Sequence, residues 1–287
     1  MRTLFFTSAL ALATAPAFTQ TCCDPVGNPV AKAYPKDEMQ LLASTHDFQL
    51  LHVEPLPFTF VSRAGGEMTE FKTPDGKTGS GFFLKAKQKT DKYLFVFQEW
   101  WGLNDYIKQE AEKYYNALDG KVNVLALDLY DGKVATAREE AGKLMSSADP
   151  QRLESIVKGA FDYAGPKAQI ATIGWCFGGM WSLKSAMLAG KQAVGCVMYY
   201  GMPEKDVAKL KTLNTDVLGI FATRDRGINP EVVKQFEQNM AAADEKVTIK
   251  LFDADHAFAN PSNPRHDKAA TAEAYQLSTA YLKKKLL

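Results

Sequence analysis

Cysteine is scarce in this chain of 287 residues: there are four, the neighbours Cys22 and Cys23, then Cys176 and Cys196. Such a count excludes a small fold held together by a disulfide framework, and it leaves the pairing of these four open. Charge of one sign is not in excess either, with 34 Lys and Arg against 33 Asp and Glu. The basic footprint of a nucleic-acid binder is therefore missing, and the expected partner is a small molecule that is not a polyanion. No apolar run is long enough to span a bilayer. None of the His and Cys spacings matches a zinc site, so neither a metal nor a cofactor is expected.

What is present is a composition that is 46% hydrophobic and 11% aromatic, enough to bury a large core. The chain begins with Arg2, an apolar stretch from Leu4 to Ala13 and the small residues Ala15-Pro16-Ala17. These are the three regions of a secretory signal, so residues 1–20 read as a leader cleaved after Ala17 or slightly later, and the mature protein as periplasmic or secreted. Residues 21–57 carry Pro25, Pro29, Pro35, Pro55 and Pro57 among short apolar clusters and read as an irregular arm packed along the body.

Residues 58–287 read as one α/β domain. Short alternating runs at Phe58–Val61, Met68–Phe71 and Gly81–Leu84, separated by Gly65-Gly66 and Asp75-Gly76, predict antiparallel edge strands. Unbroken apolar runs then alternate with helical patterns, at Tyr93–Phe97, Val122–Leu127, Gln169–Ile173, Val194–Tyr199, Val217–Ala222 and Val247–Phe252. Strands buried on both faces have this signature, so a mostly parallel sheet covered by helices on both sides is predicted. Asn104 caps a helix carrying Ile107, Ala111, Tyr114 and Leu118; Asn229-Pro230 opens another; the last helix is predicted to bury Ala270, Ala274, Leu277 and Tyr281.

In such a sheet the ligand crevice lies beyond the carboxyl ends of the strands. The strand ending at Ile173 runs into Gly174-Trp175-Cys176-Phe177-Gly178-Gly179 and then a helical stretch. That is a nucleophile elbow with Cys in place of Ser, and the helix N-terminus beyond it favours a thiolate. Asp225 follows the strand at Val217–Ala222, and His256 follows the strand ending at Phe252. Nucleophile, acid and base thus come in the chain order of an α/β-hydrolase. Glu99 follows the strand at Tyr93–Phe97, and the backbone amides of Trp100 and Phe177 are placed to form an oxyanion hole. Asp253 and Asp255 are rivals to Asp225 for the orienting acid. Cys196, inside a strand, reads as a core residue, and His46, His52 and His266 as ordinary core or surface histidines.

The stretches Gln98–Asn104, Asp128-Leu129-Tyr130, Gly174–Gly179, Asp225 and His256-Ala257-Phe258 together resemble the dienelactone hydrolases, from about residue 68 to the C-terminus. The resemblance implies an α/β-hydrolase fold and a carboxylic ester or lactone hydrolase without a cofactor. It makes Cys176 the nucleophile, His256 the base and Asp225 its partner, and it implies that Glu99 hydrogen-bonds the resting thiol. Members of the family grip a substrate carboxylate with two arginines; the corresponding places here read Asp131-Gly132-Lys133 and Asn260. Lys133, Arg138, Arg224 and Arg226 are the nearby cations, and a guanidinium fork is not replaced by an ammonium. With Trp101, Tyr130, Trp175 and Phe258 as expected substrate contacts, a less charged ester or lactone is the expected substrate. The reading requires the sulfur to open toward incoming substrate. A different class, a non-catalytic envelope binding protein on a retained hydrolase scaffold, is the alternative, because fold does not dictate function. The sequence does not indicate an oligomeric state.

Overall fold

The apolar runs become strands and the 3.6-residue patterns become helices in the computed structural model, which describes Met1, residues 37–50 and residues 52–287. The expected leader and Cys22 and Cys23 lie outside the described residues. One compact unit runs from Pro35 to Leu287. Its elements are, in order, α1 (Glu38–Ala43), α2 (His46–Leu50), β1 (Glu67–Lys72), β2 (Thr78–Leu84), β3 (Lys92–Phe97), α3 (Asp105–Ala117), β4 (Asn123–Asp128), α4 (Arg138–Ser147) and α5 (Pro150–Ala164). There follow β5 (Gln169–Trp175), α6 (Phe177–Ala189), β6 (Ala193–Tyr199), α7 (Val207–Leu210), β7 (Val217–Ala222), α8 (Pro230–Ala242), β8 (Val247–Phe252) and α9 (Lys268–Leu286).

The eight strands form one sheet in the order β1-β2-β4-β3-β5-β6-β7-β8. β1 pairs antiparallel with β2, and β2 with β4; every later pairing is parallel. All six residues of β4 and of β7 are buried, which is why these strands read as unbroken apolar runs. This is an α/β-hydrolase fold.

Three expectations need correction. Phe58–Val61 forms no strand: the Phe60 amide donates to Asp105 Oδ2 at 2.9 Å, and Phe58 stacks on Tyr106 at 4.7 Å, so this extended segment lies along α3 and not in the sheet. The arm is not wholly irregular, because α1 and α2 interrupt it; Asp37 and Gln40 close a capping box at the start of α1. The face that α9 buries is Ala274, Ser278, Leu282 and Leu286, while Leu277 is 37% exposed. A serine stands in that buried stripe because its hydroxyl bonds Tyr114 at 2.7 Å and Tyr199 at 2.9 Å, and this polar position hides the true face from an apolar count.

Candidate active site

Cys176 sits between β5 and α6 with φ 56° and ψ −117°, a conformation that L-residues rarely adopt and that holds its side chain on a tight bend. The bend is braced by backbone contact on three sides, which accounts for the glycines around it. A Cβ at Gly174 would stand 2.1 Å from the Gly178 carbonyl oxygen. At Gly178 it would stand 2.3 Å from the Phe97 oxygen, and at Gly179 2.5 Å from the Tyr199 oxygen. The ends of β3 and β6 are therefore pressed against the start of α6. The Cys176 amide donates to Tyr199 O at 3.0 Å, fixing the elbow to β6. Phe177 opens α6, where amides have no partner within the helix.

The loops after β7 and β8 bring Asp225 and His256 to this elbow. Asp225 Oδ1 accepts from the amides of Gly227 and Ile228, each at 2.9 Å, and Oδ2 lies 2.5 Å from His256 Nδ1. A carboxylate so fixed accepts a hydrogen bond from Nδ1–H and turns Nε2 toward the elbow; that Nε2 is buried without a hydrogen-bond partner. Burial opposes charge on both groups. The imidazole nevertheless holds the Asp225 carboxyl below its usual range, and Asp225 with the sulfur raises His256 well above its own. Burial pushes the Cys176 thiol up, while His256 pulls the other way. The rivals are disposed of by their partners: Asp253 and Asp255 face Arg224 at the surface, where Asp253 is 85% exposed.

Glu99 lies at the end of β3 as expected, but its hydrogen bond is not to the thiol. Asn260 Nδ2 donates to Glu99 Oε2 at 2.5 Å. The residue that stands where the family has an arginine thus holds the glutamate. Burial pushes the Glu99 carboxyl up to about 7, against the pull of His256 and Asn260. The folded protein then binds this proton more tightly than the unfolded chain, so stability falls as pH rises from about 4.5 to about 7. Glu99→Gln removes that titration. Its stability relative to the native chain should rise by roughly 2–3 kcal/mol between about pH 4.5 and about pH 8, read from urea unfolding at both. An equal difference at the two pH values would contradict this.

His52, an ordinary histidine by its place in the sequence, faces the sulfur: its Nε2 lies 3.8 Å from Cys176 Sγ. The ring packs at 4.4 Å against Phe48 and against Trp100. Nδ1 lies 2.8 Å from the Phe48 carbonyl, which only accepts, so Nδ1 carries the proton and Nε2 turns a lone pair to the sulfur. Burial, then His256, lowers its pKa to about 3, so the ring stays neutral near neutral pH. No sequence signal marks this role, because His52 lies on the arm, 124 residues before the cysteine.

The same arm corrects the expectation of an open sulfur, since Cys176 is 0% exposed. His52 faces it, backed by Phe48. The arm is fastened by Gln40 Nε2, which donates to Ala148 O at 2.7 Å, by Lys184 with Asp37 at 2.9 Å and by Arg138 with Glu54 at 2.8 Å. Arg138 and Arg224 are thereby occupied by carboxylates of the chain itself. Of the expected substrate contacts, Trp175 lines a cavity of about 20 Å³ with Glu99, Tyr200 and Asn260. Trp101, Tyr130 and Phe258 are packed instead: Trp101 on Trp100, Tyr130 on Phe177, Phe258 on Tyr200. A much larger groove, about 790 Å³ between Phe58–Arg63 and α3, contains none of the predicted site residues.

Cys196 is buried and free, 3.6 Å from Ser182 Oγ, with its thiol pushed up to about 11 by burial, as befits a core residue. Among the described residues, no helix is long and apolar enough to cross a membrane.

Comparison with known proteins places the chain in a family. The chain is 26% identical over 239 residues to "Protein usf" of Aquifex pyrophilus, an alignment spanning 77% of this chain and 99% of the relative. It is 25% identical over 220 residues to carboxymethylenebutenolidase 1 of Cupriavidus pinatubonensis, spanning 71% and 91%. Among solved structures, a dienelactone hydrolase-like promiscuous phosphotriesterase from metagenomic libraries superposes with a TM-score of 0.65 at 21% identity, covering 77% of this chain and 98% of that one. The dienelactone hydrolase from Anabaena variabilis superposes with a TM-score of 0.58 at 17% identity, covering 79% and 100%. These two likenesses concern the fold. The sequence model of the dienelactone hydrolase family matches residues 80–286, most of the chain, a span within which Glu99, Cys176, Asp225 and His256 all lie. The chain belongs to the dienelactone hydrolase family.

Proposed function

We propose that the protein hydrolyses a carboxylic ester or lactone through a covalent thioester on Cys176. The observation that carries this reading is the Asp225–His256 couple, whose Nε2 is left without a hydrogen-bond partner beside a cysteine held on a strained strand-to-helix turn. The thiol proton passes to His256 Nε2 as sulfur bonds to the carbonyl carbon, and the amides of Trp100 and Phe177 stabilise the oxyanion. Collapse breaks the ester C–O bond, and His256 returns its proton to the leaving alcohol. Water, deprotonated by His256, then releases the acid and restores the thiol. Because the sulfur is covered, the arm lifts before substrate enters, a gating motion of the kind that lids perform. The names of the relatives point to lactones, while Asn260 in place of an arginine favours a less charged one than a dianion. Export through the leader at residues 1–20, to the periplasm or the medium, belongs to the same reading.

Acid-quenched mixing with an aryl ester should yield an acyl adduct on the peptide containing Cys176. Hydrolysis that proceeds with the adduct on another residue would overturn the proposal. The closed sulfur also favours a second reading, a non-catalytic envelope binding protein, and absence of both hydrolysis and adduct over a panel of lactones and aryl esters would support it.

A further inference from the structure

Among the described residues, one group of three side chains with metal-ligating atoms is drawn together: a ring nitrogen of His52, a ring nitrogen of His256 and Cys176 Sγ lie within 4.8 Å of one another. We propose that this group binds a thiophilic divalent cation, of which Zn²⁺ is the natural member, and that the bound ion latches the arm over the nucleophile.

The argument begins with hydrogen-bond capacity. Each imidazole has its Nδ1–H engaged, His52 by the Phe48 carbonyl and His256 by the Asp225 carboxylate, so both turn Nε2 toward the sulfur, His52 with a free lone pair and His256 sharing one proton with the thiol. A thiol carries one proton and satisfies one acceptor; His256 Nε2 is the buried atom left without a partner. A cation satisfies both lone pairs and the sulfur at once. It binds as the one proton shared by the sulfur and His256 Nε2 passes to solvent, forming two nitrogen–metal bonds and one sulfur–metal bond.

Two further features fit a metal. Histidine ligands ordinarily donate their other ring nitrogen to a carbonyl or a carboxylate, which fixes the tautomer, and both forms of support are present here. Charge selects the ion: thiolate and the Asp225 carboxylate together balance a dication in a site whose members are all buried. Zinc–nitrogen bonds of about 2.0 Å and a zinc–sulfur bond of about 2.3 Å span ligands at the present separations after a small inward shift, leaving one coordination position for water. No spacing rule marks this site, because its ligands come from the arm, the elbow and the loop after β8.

The ligation stands without the hydrolytic reading; the inhibition it predicts rests on it. The probe is Cd²⁺, whose bond to thiolate gives a sulfur-to-metal charge-transfer band in the ultraviolet. Protein carrying Cys22→Ala, Cys23→Ala and Cys196→Ala should still bind one equivalent with that band. Adding Cys176→Ala should remove the band, while His52→Gln and His256→Ala should each weaken binding by at least about 100-fold, with circular dichroism confirming that each variant is folded. Zn²⁺ should inhibit aryl-ester hydrolysis by the native chain reversibly, and much less in His52→Gln. A band that survives loss of Cys176, or an affinity unchanged by His52→Gln, would overturn the site. Should the band be absent while hydrolysis depends on Cys176, the metal site falls and the hydrolase stands; a band without any hydrolysis keeps the metal site and removes the hydrolase.

Discussion

Replacing Cys176 by alanine should lower turnover of an activated aryl ester on the order of 10⁴-fold or more, with the circular dichroism spectrum unchanged. The two halves of this expectation have separate causes. Activity goes because, in the proposed mechanism, this sulfur is the atom that bonds to the carbonyl carbon. Structure stays because the elbow is held by backbone contacts, among them the Cys176 amide on Tyr199 O, and alanine retains all of these. The left-handed φ of 56° strains alanine and cysteine alike, so the change does not relax the turn. Loss of one buried sulfur costs about 1 kcal/mol of packing, too little to unfold a domain of this size. Activity within about tenfold of the native chain would remove the sulfur from the mechanism.

Asp225→Asn should be nearly as damaging, on the order of 10⁴-fold in kcat, although it alters no shape. Oδ1 is committed to the Gly227 and Ile228 amides, which fixes which way an asparagine must sit: oxygen toward those amides, NH₂ toward His256. The amide then donates to Nδ1, the ring proton moves to Nε2, and the base can no longer receive the thiol proton. The Asp225 carboxyl is held below its usual range, so it is charged throughout neutral pH and the deficit should persist from about pH 6 to about pH 9. The stability it contributes is present above the carboxyl's unfolded pKa of about 3.9 and is lost as pH falls below that value. Steady-state kinetics across this range test the claim. A loss below about tenfold would show that the carboxylate does not set the tautomer.

The strands are legible in the sequence because those beside the elbow are buried on both faces and so are mostly apolar, and the proposed triad because each of its members follows the end of one of them. Helix α9 is displaced by one face in an apolar reading because Ser278 is buried for its hydroxyl and not for its apolarity. Phe58–Val61 has a strand's alternation but spends its backbone on Asp105, a partner that local pattern does not reveal. His52 is invisible for a deeper reason. A residue's meaning at a site assembled from distant segments depends on where a short helix comes to rest, and α2 rests on Trp100 through Phe48, with His52 just beyond it facing the sulfur. Glu99 stands where the sequence places it but with a different partner, since only the fold brings Asn260 to it.

At Gly178 the main chains of β3 and α6 meet with no side chain between them. A side chain at that position would have to push the Phe97 and Gln98 carbonyls aside, so the spacing between the end of β3 and the start of α6 is set by peptide against peptide. If Trp100 and Phe177 serve the oxyanion as proposed, enlarging residue 178 should damage catalysis by prising that strand from the helix, whereas changes in the arm and in the turn around Asn260 leave this contact alone.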